Sequence, residues 1–290
     1  MKIRKRRKKK NYPRVLLVAK QNKAGLRHIK KLEKMLRKYT DEIHFDHSTA
    51  IRLRKRGYSI RKFTGDFIIT VGGDGTFLWT AHKANVPILP VRIEGQGFLC
   101  TIDFRHLEKH IKDLVRKNYK IMERMRLVCT RAKTRRIEKY MEKILSNEYP
   151  LALNEIAFGR KRPSKVLYVS FVIDGVRFES VGDGVMFSTP SGSTAYNSSA
   201  GGSIIDPKLN AISITPLYPF YSKVKPMVIS GDKKILVEVS GGECAVVIDG
   251  HGGEYVKSGT KFVIEKARPA KVITFSEQNV FEKLKSNLID

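Results

Sequence analysis

Two patterns of apolar and polar positions divide this chain. Between Arg14 and Lys117, short unbroken apolar runs alternate with stretches whose apolar residues recur every three or four positions. Val15-Leu16-Leu17-Val18-Ala19 reads as a buried strand, and Leu26, Ile29, Leu32, Met35, Leu36 and Tyr39 as the buried stripe of a helix. Ile43-His44-Phe45, Phe67–Val71 and Pro87–Val91 read as further strands. Helices are expected around Arg52–Arg56, ended near Gly57, from Thr76 to Ala84, and over His106–Lys117. Strands and helices in alternation predict an α/β layer with a parallel sheet.

Beyond residue 118, β-branched and aromatic residues alternate with polar ones over many short runs. Strands are expected at Met125–Thr130, Leu151–Phe158, Val166–Ile173, Val176–Phe178, Val185–Ser188, Ala211–Thr215, Met227–Ser230, Ile235–Val239, Ala245–Ile248, Lys261–Ile264 and Lys271–Phe275. So many strands separated by turn residues predict a mostly antiparallel β domain. Residues 131–148 read as a charged amphipathic helix or an insertion, and Val280–Leu288 as a closing helix. The expected organisation is a basic tail (1–13), an α/β domain (14–117), a β-rich domain (118–276) and a C-terminal helix (277–290).

One turn in the first half carries chemistry. Val71-Gly72-Gly73-Asp74-Gly75-Thr76 lies between a strand and a helix, at the carboxyl end of a central strand, where open α/β sheets bind ligands. Glycines at 72, 73 and 75 can take positive φ and carry no Cβ, so a phosphate can approach the backbone N–H groups. The following helix aims its free N–H groups and positive dipole end at the same spot. Asp74 then sits among groups that attract an anion. A carboxylate beside a phosphate is favourable only with a metal ion or a substrate hydroxyl between them, which points to phosphoryl transfer. The competing reading is a plain tight turn.

The second half holds a denser constellation. Asp183-Gly184-Val185 leads through Ser188-Thr189-Pro190-Ser191-Gly192-Ser193-Thr194-Ala195-Tyr196 to Ala200-Gly201-Gly202. Small residues and hydroxyls packed this closely let a backbone lie against a flat ligand. A Gly/Ser linker is the alternative, but an apolar strand enters the segment and a helix start leaves it. Asn154-Glu155 interrupts an apolar run. Neighbours in a strand point to opposite faces, so at least one needs a specific partner or lines a cleft.

Charge changes the picture of partners. With 56 Lys and Arg against 28 Asp and Glu, the formal charge is +28, which favours polyanions such as nucleotides, polyphosphate, RNA or acidic surfaces. Eight of residues 1–10 are basic, a solvated arm with RNA binding or a nuclear address as its sharper readings. Cys100, Cys129 and Cys244 show no paired spacing, against a disulfide framework or a cysteine zinc site and in favour of a reducing cytoplasm. The apolar run Val15–Ala19 is too short for a signal-peptide core or a membrane span. His106 and His110 share a helix face without a third ligand, so solvent-facing histidines are expected and no protein metal site. Walker A and dinucleotide G-x-G-x-x-G patterns are absent.

In their order, Gly72-Gly73-Asp74-Gly75-Thr76-Phe77-Leu78, Gly97-Phe98-Leu99, Leu153-Asn154-Glu155, Asp183 through Tyr196, Ala200-Gly201-Gly202, Ile214-Thr215-Pro216 and Asp249-Gly250 resemble the NAD kinase family, over about residues 14–276. The resemblance implies an NAD kinase-like two-domain fold with the active site between the domains, and homodimers or homotetramers. It implies transfer of the γ-phosphoryl group of ATP, with Mg²⁺, or of polyphosphate, to the 2′-hydroxyl of the adenosine ribose of NAD. On that resemblance Asp74 is the catalytic aspartate. Gly72, Gly73, Gly75, Thr76 and Lys225 face the phosphate donor. Phe98, Asn154, Glu155, Arg160, Asp183, Ser191, Thr194, Ala195, Tyr196, Ser199 and His251 face NAD. Lys225 stands where members often carry Arg, and it lacks the planar bidentate contact of a guanidinium. Two rivals remain: a lipid kinase sharing Gly-Gly-Asp-Gly-Thr, and an RNA-binding protein, whose affinity would fall steeply with salt.

Overall fold

The computed structural model describes residues 12–95, 97–132, 149–220, 224–277 and 279–288. Residues 1–11 of the expected tail and 133–148 of the expected charged segment lie outside them. The described chain forms two compact units. One runs to Met122 and takes back Lys271–Asn279; the other holds Glu123–Ala270 and the C-terminal helix.

The first unit contains β1 (Val15–Ala19), α1 (Lys23–Leu36), β2 (Ile43–Asp46), α2 (His47–Leu53), β3 (Gly57–Tyr58), β4 (Phe67–Gly72), α3 (Asp74–Ala81), β5 (Ile88–Arg92), β6 (Ile102–Asp103) and α4 (Phe104–Val115). Its strands run parallel in the order β5-β4-β1-β2-β3, with β6 also parallel to β5. β1 and β4 are buried along their whole length, as unbroken apolar runs require. Asn22 caps α1 by accepting the Gly25 N–H at 2.8 Å, and Ile29, Leu32 and Leu36 bury its apolar face completely. Each such side chain contributes about 1.5–3 kcal/mol.

The second unit is antiparallel. After β7 (Lys120–Arg131) come β8 (Glu155–Arg160), β9 (Leu167–Ile173), β10 (Val176–Ser188), α5 (Tyr196–Ser199), β11 (Ala211–Pro219), β12 (Met227–Ser230), β13 (Ile235–Gly241), β14 (Cys244–Ile248), β15 (His251–Val256), β16 (Lys261–Thr274) and α6 (Val280–Leu288). β10 is the hub: Gly184–Ser188 pairs with β8 and β11, while Val176–Gly182 pairs with β9. Phe158, Phe171, Phe187 and Phe262 meet in its core with rings 5.2–6.0 Å apart. Cys129 and Cys244 are free and fully buried there, and burial raises both thiols, Cys244 to about 12.

Several elements differ from expectation. The helix sought at Arg52–Arg56 lies earlier, because Asp46 caps it by accepting the Ser48 and Thr49 N–H groups and Arg54 ends it in the left-handed region at φ 53°. Two expected strands fuse into β10 across Gly182-Asp183-Gly184. β16 runs through Pro269 and ends inside the first unit, where Val272 pairs with Ile88. Glycine-rich β15 escapes the alternation pattern altogether. His106 is exposed, whereas His110 is half-buried and stacks on Phe275 at 4.3 Å, and no cluster of three or more metal-ligating side chains occurs among the described residues. No described helix is long and apolar enough to cross a membrane.

Candidate active site

In the first unit the glycine turn is built differently from its expected form. Gly72, Gly73 and Gly75 do not take positive φ; Gly73 is extended (φ −123°, ψ −167°) and feeds straight into α3. Their smallness matters instead. A Cβ on Gly72 would lie 2.2 Å from the Thr76 Oγ1, whereas a Cβ on Gly73 or Gly75 would meet nothing within 4 Å. The first turn of α3 therefore presents an open backbone face, with no side-chain cap. That face suits an anion.

Asp74 opens α3 and is strongly engaged. Its Oδ2 accepts the Phe98 N–H at 2.8 Å, both oxygens accept from Leu99 at 3.1 and 3.2 Å, and Oδ1 accepts from Cys100 at 3.2 Å. Gly97 must be glycine, since a Cβ there would come within 2.7 Å of the same carboxylate. The second glycine loop thus packs on Asp74. Its start is fixed too, with Ile93 N–H donating to the Gly72 carbonyl at 3.0 Å and Lys20 Nζ 3.2 Å from Glu94. A carboxylate can accept about four hydrogen bonds, so Asp74 keeps little more than one position for a further donor.

The second unit holds the other candidates apart from Phe98, several of them on β8 or beside it. Asn154 and Glu155 are 7% and 5% exposed, and Asn154 Oδ1 and Glu155 Oε2 are buried without a hydrogen-bond partner among the described residues. Burial first, and the Asp249 charge second, push the Glu155 carboxyl up to about 8. Thr189 Oγ1 donates to the Leu153 carbonyl and accepts the Gly192 N–H, which staples the Ser191-Gly192-Ser193-Thr194 turn onto β8. Ser191 accepts from the buried Arg124 at 3.0 Å. Arg160 and Asp183 meet across the β8–β10 pair at 3.0 Å. Thr194 and Ala195 are half-buried, Tyr196 and Ser199 exposed. His251 and Lys225 are exposed, and His251 Nδ1 lies 2.8 Å from the Asp249 carbonyl. Phe98 belongs to the loop on Asp74, and Tyr221-Ser222-Lys223, just before Lys225, lies outside the described residues.

Some of the machinery escapes a sequence reading. Asp249 holds three backbone N–H groups of Leu153-Asn154-Glu155, although the sequence offers only an Asp-Gly pair. Asn197 is fully buried; it donates to the Ser203 carbonyl and accepts from Ser213 and Thr215. Arg124 and Arg126 are buried on β7, and Arg126 bonds the Arg268 and Pro269 carbonyls, with burial lowering it to about 10. Basic residues at a strand start carry no signal of burial.

The first unit thus offers an open helix turn headed by a carboxylate, and the second an Asn-Glu pair with two buried polar atoms that have no partner among the described residues. Two family descriptions match: the ATP-NAD kinase N-terminal domain over residues 14–119 and the ATP-NAD kinase C-terminal domain over residues 153–275. The chain belongs to the NAD kinase family. It is 31% identical to the NAD kinase of Sulfurimonas denitrificans, covering 89% of this chain and 90% of that protein. Identity to the Methanopyrus kandleri NAD kinase is 36%, covering 77% and 78%. Among solved structures, an Archaeoglobus fulgidus NAD kinase in complex with ATP superimposes with a TM-score of 0.71 at 28% identity, covering 94% of this chain and 97% of that one. The yeast NADH kinase complexed with NADH shares the fold, with a TM-score of 0.82 at 21% identity, over 97% and 88%.

Proposed function

We propose that this chain transfers the γ-phosphoryl group of ATP to the 2′-hydroxyl of the adenosine ribose of NAD, giving NADP and ADP, with polyphosphate as an alternative donor. The observation that carries the reading is Asp74 at the head of α3, beside two glycines whose missing Cβ atoms leave the backbone open. In this reading Asp74 uses its remaining acceptor position for the 2′-hydroxyl. The ribose oxygen forms the new O–P bond, its proton passes to Asp74, and the bond between the γ-phosphorus and the bridging oxygen breaks with its electrons leaving on ADP. The Phe98, Leu99 and Cys100 N–H groups hold the Asp74 carboxylate in one orientation. That suits phosphoryl transfer, where in-line positioning and charge neutralisation outweigh proton abstraction.

Gly72, Gly73, Gly75 and Thr76 offer the donor phosphates backbone and hydroxyl contacts, and Lys225 adds charge. Asn154, Glu155, Asp183, Arg160, Ser191, Thr194, Ala195, Tyr196, Ser199, Phe98 and His251 recognise the dinucleotide. The open backbone face beside Gly73 and Gly75 fits Mg²⁺ that would be carried in on the donor phosphates and held by them, since the remaining position on Asp74 goes to the hydroxyl. When bound, the ion neutralises phosphate charge. A cytoplasmic homodimer or homotetramer is the expected form.

The test is product formation: purified protein with NAD, Mg²⁺ and either ATP or polyphosphate, read by an NADP-specific dehydrogenase, with and without chelator. NADP that depends on Mg²⁺ supports the reading. A folded protein that makes no NADP with either donor but phosphorylates diacylglycerol would move the assignment to lipid phosphorylation.

A further inference from the structure

Asp249 follows β14 in the left-handed region, at φ 49°, and is 5% exposed. Its Oδ1 accepts the Asn154 and Glu155 N–H groups at 2.7 and 2.9 Å, its Oδ2 accepts the Leu153 N–H at 2.8 Å, and its own N–H donates to the Glu155 carbonyl at 3.0 Å. Four bonds from one residue therefore fix the backbone where the chain enters β8. The two side chains so fixed each keep a buried polar atom, Asn154 Oδ1 and Glu155 Oε2, with no partner among the described residues. A buried polar atom without a partner is destabilising, and a ligand that supplies partners would satisfy both.

Burial, with the Asp249 charge second, pushes the Glu155 carboxyl up to about 8, so Glu155 is protonated below that pH. A neutral Glu155 offers an O–H donor beside the Asn154 carbonyl acceptor, a donor and acceptor set suited to a pair of sugar hydroxyls.

We propose that Asp249 is a positioning residue for dinucleotide binding, acting through the Asn154-Glu155 backbone; the inference rests on the reading that this pair contacts NAD. Asp249→Asn is the first variant, because Asn tolerates the left-handed backbone and only the acceptor set changes. Asp249→Ser, which keeps one acceptor, is the second. NAD binding is measured by calorimetry without a donor, alongside steady-state kinetics. We expect Asp249→Asn to raise the Kd and KM for NAD at least tenfold, with kcat and the KM for ATP within about threefold, and Asp249→Ser to do the same if the first variant does not fold. In an Asn154→Ala/Glu155→Gln background, Asp249→Asn should change the Kd less than about twofold, as expected for residues that act as one unit. A core variant such as Val237→Ala with a similar loss of Tm should leave the Kd unchanged. An unchanged Kd in folded Asp249→Asn, or an equal fold-change in both backgrounds, overturns the proposal. A wild type that binds NAD yet forms no NADP overturns the proposed reaction instead, and the Kd comparison still decides the role of Asp249.

Discussion

Asp74 meets two demands with one carboxylate: it holds the Phe98–Cys100 amides and, in the proposed reaction, the substrate hydroxyl. Asp74→Asn replaces one acceptor oxygen by an N–H₂ group that faces backbone donors. It is expected to lower NADP formation by about 10²–10⁴-fold and to speed hydrogen exchange at residues 97–100. Activity lost without faster exchange would separate the two roles. Glu155 gives a pH signature with a definite sign. Its folded-state pKa of about 8 lies above the unfolded value of 4.5, so its stabilising contribution is complete below pH 4.5 and is lost as pH rises through 8. Glu155→Gln carries no such loss, and its Tm advantage over the wild type is expected to grow between pH 5 and pH 8.5; a constant difference would contradict the raised carboxyl. At this scale the sequence is legible where chemistry is local. Gly-Gly-Asp-Gly marks Asp74, but nothing near Asp249 announces that its partners lie 94–96 residues away.

Elements differ in why they contain glycine. Gly184 lies in β10 at φ 153°, and a Cβ there would come 1.9 Å from the Phe158 carbonyl oxygen on β8. Gly184→Ala is expected to cost about 3 kcal/mol or more, or to prevent folding. Gly75 in α3 has open space around it, so Gly75→Ala should keep or raise Tm, by up to about 1 kcal/mol of stability, while weakening the donor phosphate contact and raising the KM for ATP. Thermal unfolding and kinetics on both variants check this opposition; a Gly75→Ala enzyme with an unchanged KM would remove the open face from the donor site. Alternation of apolar runs predicts the parallel sheet of the first unit, though not its strand order, and most of the antiparallel strands. It misplaces α2 and divides β10, because Asp46 capping and a glycine-permitted close approach are tertiary facts that periodicity does not encode.

For the whole molecule, a charge of +28 attracts polyanions generally and does not select the reaction. The basic residues 1–10 lie outside the matched regions 14–119 and 153–275. Removing them is expected to leave the KM for NAD unchanged and to weaken RNA retention at ~50 mM salt, with little retention by either form at ~200 mM. Fold class was legible because the chain changes its periodicity once, near residue 118, from helix-and-strand to strand-and-turn. NADP formation from NAD, ATP and Mg²⁺ by the wild type beside Asp74→Ala, with both proteins checked for folding, decides both the reaction and the role of Asp74. NADP is expected from the wild type and almost none from the variant. Equal NADP formation by both would contradict the role given to Asp74, and none from a folded wild type would contradict the reaction itself.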